Sequence, residues 1–154
     1  MAAPDYAGAL IGWRVWCVFR RGDELRLASV IADDVWPSGS ALVASCRAHE
    51  LPSSRLVRPD RSRHGAPHEA CTCGIYAARD AAAVWTYLRG RDDADTVARV
   101  LGRVLLWGRV VEHESGWRAE RAYPLELHTG DAALLRRLHS RIAAPVRTMP
   151  QTWW

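Results

Sequence analysis

His64-Gly65-Ala66-Pro67-His68-Glu69-Ala70-Cys71-Thr72-Cys73-Gly74 sets two thiols and two imidazoles in one short stretch, with a third thiol upstream at Cys46. The chain has only four cysteines, so three of them bear on this region. Zinc takes four soft or borderline donors in a tetrahedron, and three thiolates with one imidazole supply them while leaving no coordination position open. Cys71 and Cys73 can face one ion because Gly74 lets the backbone turn immediately after them. Cys46 arrives from the end of a strand. His64 is the favoured fourth donor, because His-Gly-Ala-Pro gives a rigid approach and enough chain to swing round to Cys71. His68, very near Cys71, and His49, three residues after Cys46, are the other choices. The expectation is a structural zinc held by Cys46, His64, Cys71 and Cys73. Cys17 lies within an apolar strand and is read as core. The zinc-deaminase signature also combines histidine, glutamate and cysteine, but its His-x-Glu and Pro-Cys-x-x-Cys elements are missing, which disfavours a catalytic ion.

At 154 residues the chain has the length of about one domain and can bury a core without disulfides. No run approaches the ~18 apolar residues of a membrane span, and no positive n-region precedes a long apolar stretch at the start. The protein is therefore expected to be soluble and cytoplasmic, where thiols stay reduced and clustered cysteines favour a metal over a disulfide. All 21 basic side chains are arginine, and lysine and asparagine are absent, which points to a GC-rich bacterial genome of the actinobacterial kind. The net charge of +4 permits an anionic partner such as nucleic acid, although a plain solvated surface often carries the same excess.

Gly12-Trp-Arg-Val-Trp-Cys-Val-Phe19 alternates and is rich in aromatic and β-branched residues, so it reads as a strand; Arg21-Gly22-Asp23 turns it into a returning strand over 24–31. Trp36-Pro37 is loop chemistry, and 41–46 is a third short strand. Residues 47–65 show no period, with two prolines and five arginines, and form a long loop that runs on to 74. Such loops are usually pinned, disordered or functional. A metal would pin this one. Ala77, Ala81, Val84, Trp85 and Leu88 fall on one stripe and predict a helix from 75 to 88. Residues 97–113 alternate as a long strand, with Val100, Val104, Leu106 and Val110 on one face and bends at Gly102 and Gly108. A hairpin at Glu114-Ser115-Gly116 leads to a return over 117–123, which Pro124 interrupts. Thr129 or Asp131 caps a second helix that buries Leu134, Leu135, Leu138 and Ile142. The tail from 143, ending in Trp153-Trp154, is irregular. Residues 1–11 thus form an N-terminal segment, 12–142 one α+β domain containing the loop 47–74, and 143–154 a tail.

Two groups suggest further chemistry. Glu112, His113, Glu114 and Glu120 cluster on the second hairpin and would serve a hydrolase if they lined a pocket, although charges near turns are more often solvated or paired across strands. Tryptophans interleave with arginines, and flat rings stack bases while arginine stacks or contacts phosphate. Trp36, Arg103, Trp107, Arg109, Trp117 and Arg121 are the residues singled out for binding on this basis. The competing reading is that most of the tryptophans fill the core.

The string Cys71-Thr-Cys-Gly-Ile-Tyr-Ala77, followed by 102–124, resembles a group of uncharacterised small bacterial proteins. More loosely, the order of short strands, the Trp36-Pro37 loop and the Gly-x-Val strand with its hairpin are similar to PUA-like barrels, the superfamily of the ASCH, EVE and YTH domains. That resemblance implies a cleft for RNA or a modified nucleobase. The fold expected is a curved, mainly antiparallel sheet or small PUA-like β-barrel with two helices and a zinc-pinned loop. The functional expectation is a non-enzymatic, zinc-stapled reader of RNA or a modified nucleobase. A protein-interaction adaptor docking through Trp153 and Trp154 is the second reading, and the hydrolase is the third.

Overall fold

The fold is described from a computed structural model covering residues 5–31, 34–46, 64–90, 94–142 and 145–149, with backbone alone at 5–7 and 140–141. Most of the expected loop, with His49, Arg55, Arg58, Arg61 and Arg63, lies outside the described residues, as do Trp153 and Trp154.

Three long antiparallel strands form the centre of an α+β structure: β1 (Asp5–Arg21), β5 (Thr96–Glu112) and β6 (Gly116–Thr129). β5 lies between the other two, and β2 (Glu24–Ser29) pairs with the end of β1 across the Gly22-Asp23 turn. Gly22 sits at φ 60°, the left-handed region a tight turn needs. The outer edge of β6 carries β4 (Ile75–Ala78), β3 (Leu42–Val43) and, in parallel, β7 (Val146–Thr148). β4 also meets β1 at Trp13↔Ala78, so the pairings run in a circuit from β1 through β5, β6 and β4 back to β1.

Alternation on β5 sends Val100, Val104, Leu106 and Val110 inward, where none is exposed, against Trp16, Val18, Ala119, Ala122 and Leu127. The helix α1 (Ala132–Arg141) covers this face with Leu134 and Leu138. Its cap is Asp131, whose carboxylate accepts the N–H groups of Ala133 and Leu134. Gly108, at φ 78°, lies at a register shift between β5 and β6, as its place in the alternation predicts. At Gly102 the cause is proximity: an added Cβ would overlap the Glu126 carbonyl and come within 2.8 Å of the Trp16 ring.

Four expectations need correction. The helix expected over 75–88 begins as strand β4, because Ile75 and Ala77 are buried and the backbone pairs with β6; only Ala81–Leu88 is helical, as a 3-10 helix capped by Asp80. Of its predicted stripe, Ala81, Val84 and Leu88 pack on Val15 and Leu101, while Trp85 is exposed. Pro124 does not end β6: it lies opposite Val104 at a register shift, where a residue without an N–H is tolerated. The third strand is short, with two residues, although the Ala44 N–H continues it by donating to the Glu120 carbonyl at 2.7 Å. Finally, the sheet reaches past the expected domain limits, to residues 5–11 in β1 and 146–148 in β7. No helix among the described residues is long and apolar enough to cross a membrane.

Candidate metal centre

Cys46, three residues beyond β3, meets Cys71 and Cys73 on the approach to β4, and His64 closes the group. One donor atom from each of the four residues lies within 4.8 Å of every other. The Cys46 and Cys71 sulfurs are 3.7 Å apart, and Cys73 Sγ is 3.4 Å from His64 Nε2. A tetrahedral ion with metal–sulfur bonds of about 2.3 Å and a metal–nitrogen bond of about 2.0 Å spaces two sulfurs by about 3.8 Å and a sulfur and a nitrogen by about 3.5 Å. The separations fit, and all four cysteines are free thiols. The four residues lie close enough to hold a metal ion.

His68 stands outside this group. It is exposed, its ring is stacked obliquely on His64 with centroids 4.5 Å apart, and its Nδ1 accepts the Ala70 N–H.

The local turn depends on Gly74, whose φ of 121° disfavours other residues and whose added Cβ would press on Pro67 and Arg118. Beneath the turn lies Arg118, only 3% exposed. Its Nη1 donates to the carbonyls of Cys71 (2.5 Å), Cys73 (2.7 Å) and His68 (3.3 Å), and its Nε donates to His113 Nε2 at 2.7 Å. One buried cation thus gathers the carbonyls of the metal-binding turn. Burial raises the Cys73 thiol to about 12, and the neighbouring Cys71 adds to the rise. Closely spaced thiols resist joint ionisation, which a bound cation would reverse.

The chain matches no protein-family model, no curated protein and no solved structure.

A shallow cleft of about 280 Å³ opens beside the turn, bordered by Glu69, Thr72, Tyr76, His113 and Arg118. The Tyr76 hydroxyl donates to the Thr72 carbonyl at 2.7 Å, and the ring is 9° from parallel with that of His113 at a centroid distance of 6.3 Å. Burial, and then the Arg118 charge, hold His113 below its ordinary value. With Nε2 accepting from Arg118, the neutral ring carries its proton on Nδ1.

The six residues singled out for binding occupy separate places. Trp36 is buried, edge-on to Trp16 with centroids 5.4 Å apart, and donates to Ser29 Oγ. Arg103 donates to Glu126 at 2.7 Å. Trp117 lies under the Arg79 guanidinium, 4.6 Å from its ring centroid. Trp107 and Arg121 face each other across β5 and β6, while Arg109 and Arg121 both approach Glu120, at 3.5 and 3.9 Å. Arg109 also packs against Gly65 of the metal-binding stretch. The hairpin acids are engaged as well: Glu112 accepts from Arg79 at 2.5 Å, and Glu120 accepts the Arg109 N–H. Sequence reasoning missed Tyr76 and Arg118 as partners in one site. Tyr76 had a signal in its place three residues after Cys73, whereas Arg118 looks like any other arginine of the strand.

Proposed function

We propose that this protein is a non-enzymatic, zinc-stapled binding module that reads RNA or a modified nucleobase. The observation that carries this reading is a four-donor set close enough to hold one metal ion, set directly against an open cleft with aromatic walls. Three thiolates and one imidazole suit zinc and fill its coordination shell, so the ion's part is structural. Bound there, zinc would fasten the stretch from His64 to the end of β3 and hold the cleft's floor. Glu112 and Glu120 are engaged by arginines, which favours binding over hydrolysis at the hairpin. Flat side chains beside arginine are suited to unpaired bases, and the chain's net charge of +4 has the sign that attracts a phosphate backbone.

The test has two arms. Elemental analysis of purified protein should give one zinc per chain, and cobalt substitution should give the intense visible absorption of a tetrahedral thiolate site. Labelled single-stranded oligoribonucleotides should bind, with affinity falling steeply as salt rises. Protein that carries no metal and is unchanged by chelator removes the staple. Zinc-loaded protein that ignores RNA and nucleosides alike removes the reading of the ligand.

A further inference from the structure

Tyr76 is 47% exposed, although it belongs to a strand whose other three residues, Ile75, Ala77 and Ala78, are buried. Its ring runs parallel to that of His113, which belongs to the β5–β6 turn, and the Arg118 guanidinium, 5.9 Å from the Tyr76 ring centroid, links both walls to the metal-binding turn. Parallel rings with centroids 6.3 Å apart suit a planar guest, either between them after a small side-chain rotation or as a further layer on the exposed face of Tyr76. Thr72 also lines the rim, and its hydroxyl can donate or accept at the edge of a heterocycle.

Both walls are tethered to the same few backbone atoms. Tyr76 is held by its hydroxyl on the Thr72 carbonyl. His113 is held by Arg118, whose Nη1 donates to the carbonyls of Cys71 and Cys73 and, at 3.3 Å, to that of His68. Each tether therefore ends on the tripeptide that supplies two of the four metal donors.

We infer that this cleft is a slot for one unpaired nucleobase, stacked against Tyr76 and His113, and that its shape depends on the metal held by Cys46, His64, Cys71 and Cys73. The inference rests on the nucleobase-reading function proposed above and assigns it a place and a control. The ion touches no base. It fixes the Cys71-Thr72-Cys73 carbonyls, and these fix the two rings.

The experiment measures binding of fluorescein-labelled oligouridylate and oligoadenylate 12-mers to zinc-loaded protein by anisotropy, with free uridine and adenosine as competitors. Tyr76→Ala and His113→Ala should each weaken binding about tenfold, and Tyr76→Phe should weaken it less than Tyr76→Ala, since it keeps the stacking ring and loses only the tether to the Thr72 carbonyl. Zinc content, read on the same samples, should stay near one per chain because neither side chain is a metal donor, and a thermal midpoint measured alongside separates lost stacking from the destabilisation expected when His113→Ala leaves Arg118 Nε without its acceptor. Zinc removal by chelator should abolish competition by the nucleosides, and zinc readdition should restore it. Oligonucleotide binding that both alanine variants leave intact overturns the slot while RNA reading stands. Equal binding with and without zinc overturns the metal's control. Wild-type, zinc-loaded protein that binds neither oligomer nor nucleoside overturns the slot together with the function it rests on.

Discussion

Glu126 is a carboxylate with an 11% exposed side chain that accepts from Arg103 at 2.7 Å and from His128 at 2.8 Å, with Arg147 at 3.4 Å. The Arg103 bond pulls its carboxyl from the ordinary 4.5 down to about 2; burial works against the shift and His128 reinforces it. A carboxyl depressed in the folded state contributes stability that is full above its unfolded value and is lost as pH falls toward its folded one. Wild-type protein should therefore lose stability between about pH 4.5 and 2 more steeply than Glu126→Gln, as read by urea midpoints at a series of pH values. Parallel curves would refute the assignment. Glu126 did not stand out in the sequence, and Arg118 stood out only as one of several arginines interleaved with tryptophans, because 21 arginines and 17 acids allow many pairings and the register of β5 on β6 selects among them. Cys46, His64, Cys71 and Cys73 did stand out. Their chemistry is rare enough that clustering alone carries information, and the rigid approach through Ala66-Pro67 already favoured His64 over His68, the histidine that joins the group being His64.

The long strands were readable because their alternation is strict: the face predicted for Val100, Val104, Leu106 and Val110 is the buried one. The segment after Gly74 was not readable. Its alanines satisfy a helical stripe and a buried strand equally well, and the choice is made by an open edge of β6 that no local pattern reveals. Tertiary pairing likewise carries β6 through Pro124 and recruits β7 from the tail. The close approach at Gly102 gives these pairings a measurable consequence. Gly102→Ala should destabilise the protein by about 1–3 kcal/mol in urea unfolding, since the Glu126 backbone cannot yield to a methyl group as a side chain would. A neutral substitution would show that β5 and β6 are less closely spaced than described.

The molecule combines a sheet with a well-buried core and a far edge organised by polar contacts. Around the metal-binding turn, Arg118 and the donors themselves add to the burial of Ala66, Pro67 and Ile75. A ligand that binds only the folded state adds stability according to its concentration over its dissociation constant. Stripping the metal should lower the thermal midpoint by roughly 10 °C for a site about 99% filled, and zinc should restore it. A scanning calorimeter reads both steps, and unaltered melting after verified metal removal would separate the cluster from the protein's stability.

The circuit of pairings has a consequence for how copies of this chain meet. β4 is bonded on both sides, which leaves few open backbone rows in that part of the sheet. On the outer side of β2, the Ser29 N–H donates to the Asp34 carbonyl and the Trp36 N–H to the Leu27 carbonyl, so part of that margin is occupied too. What stays open there carries Glu24 and Arg26, paired at 3.3 Å. Charged residues at a strand margin discourage strand addition from a neighbouring molecule. A crowded solution of this protein accordingly finds little template on β2 or β4 from which fibrils could grow.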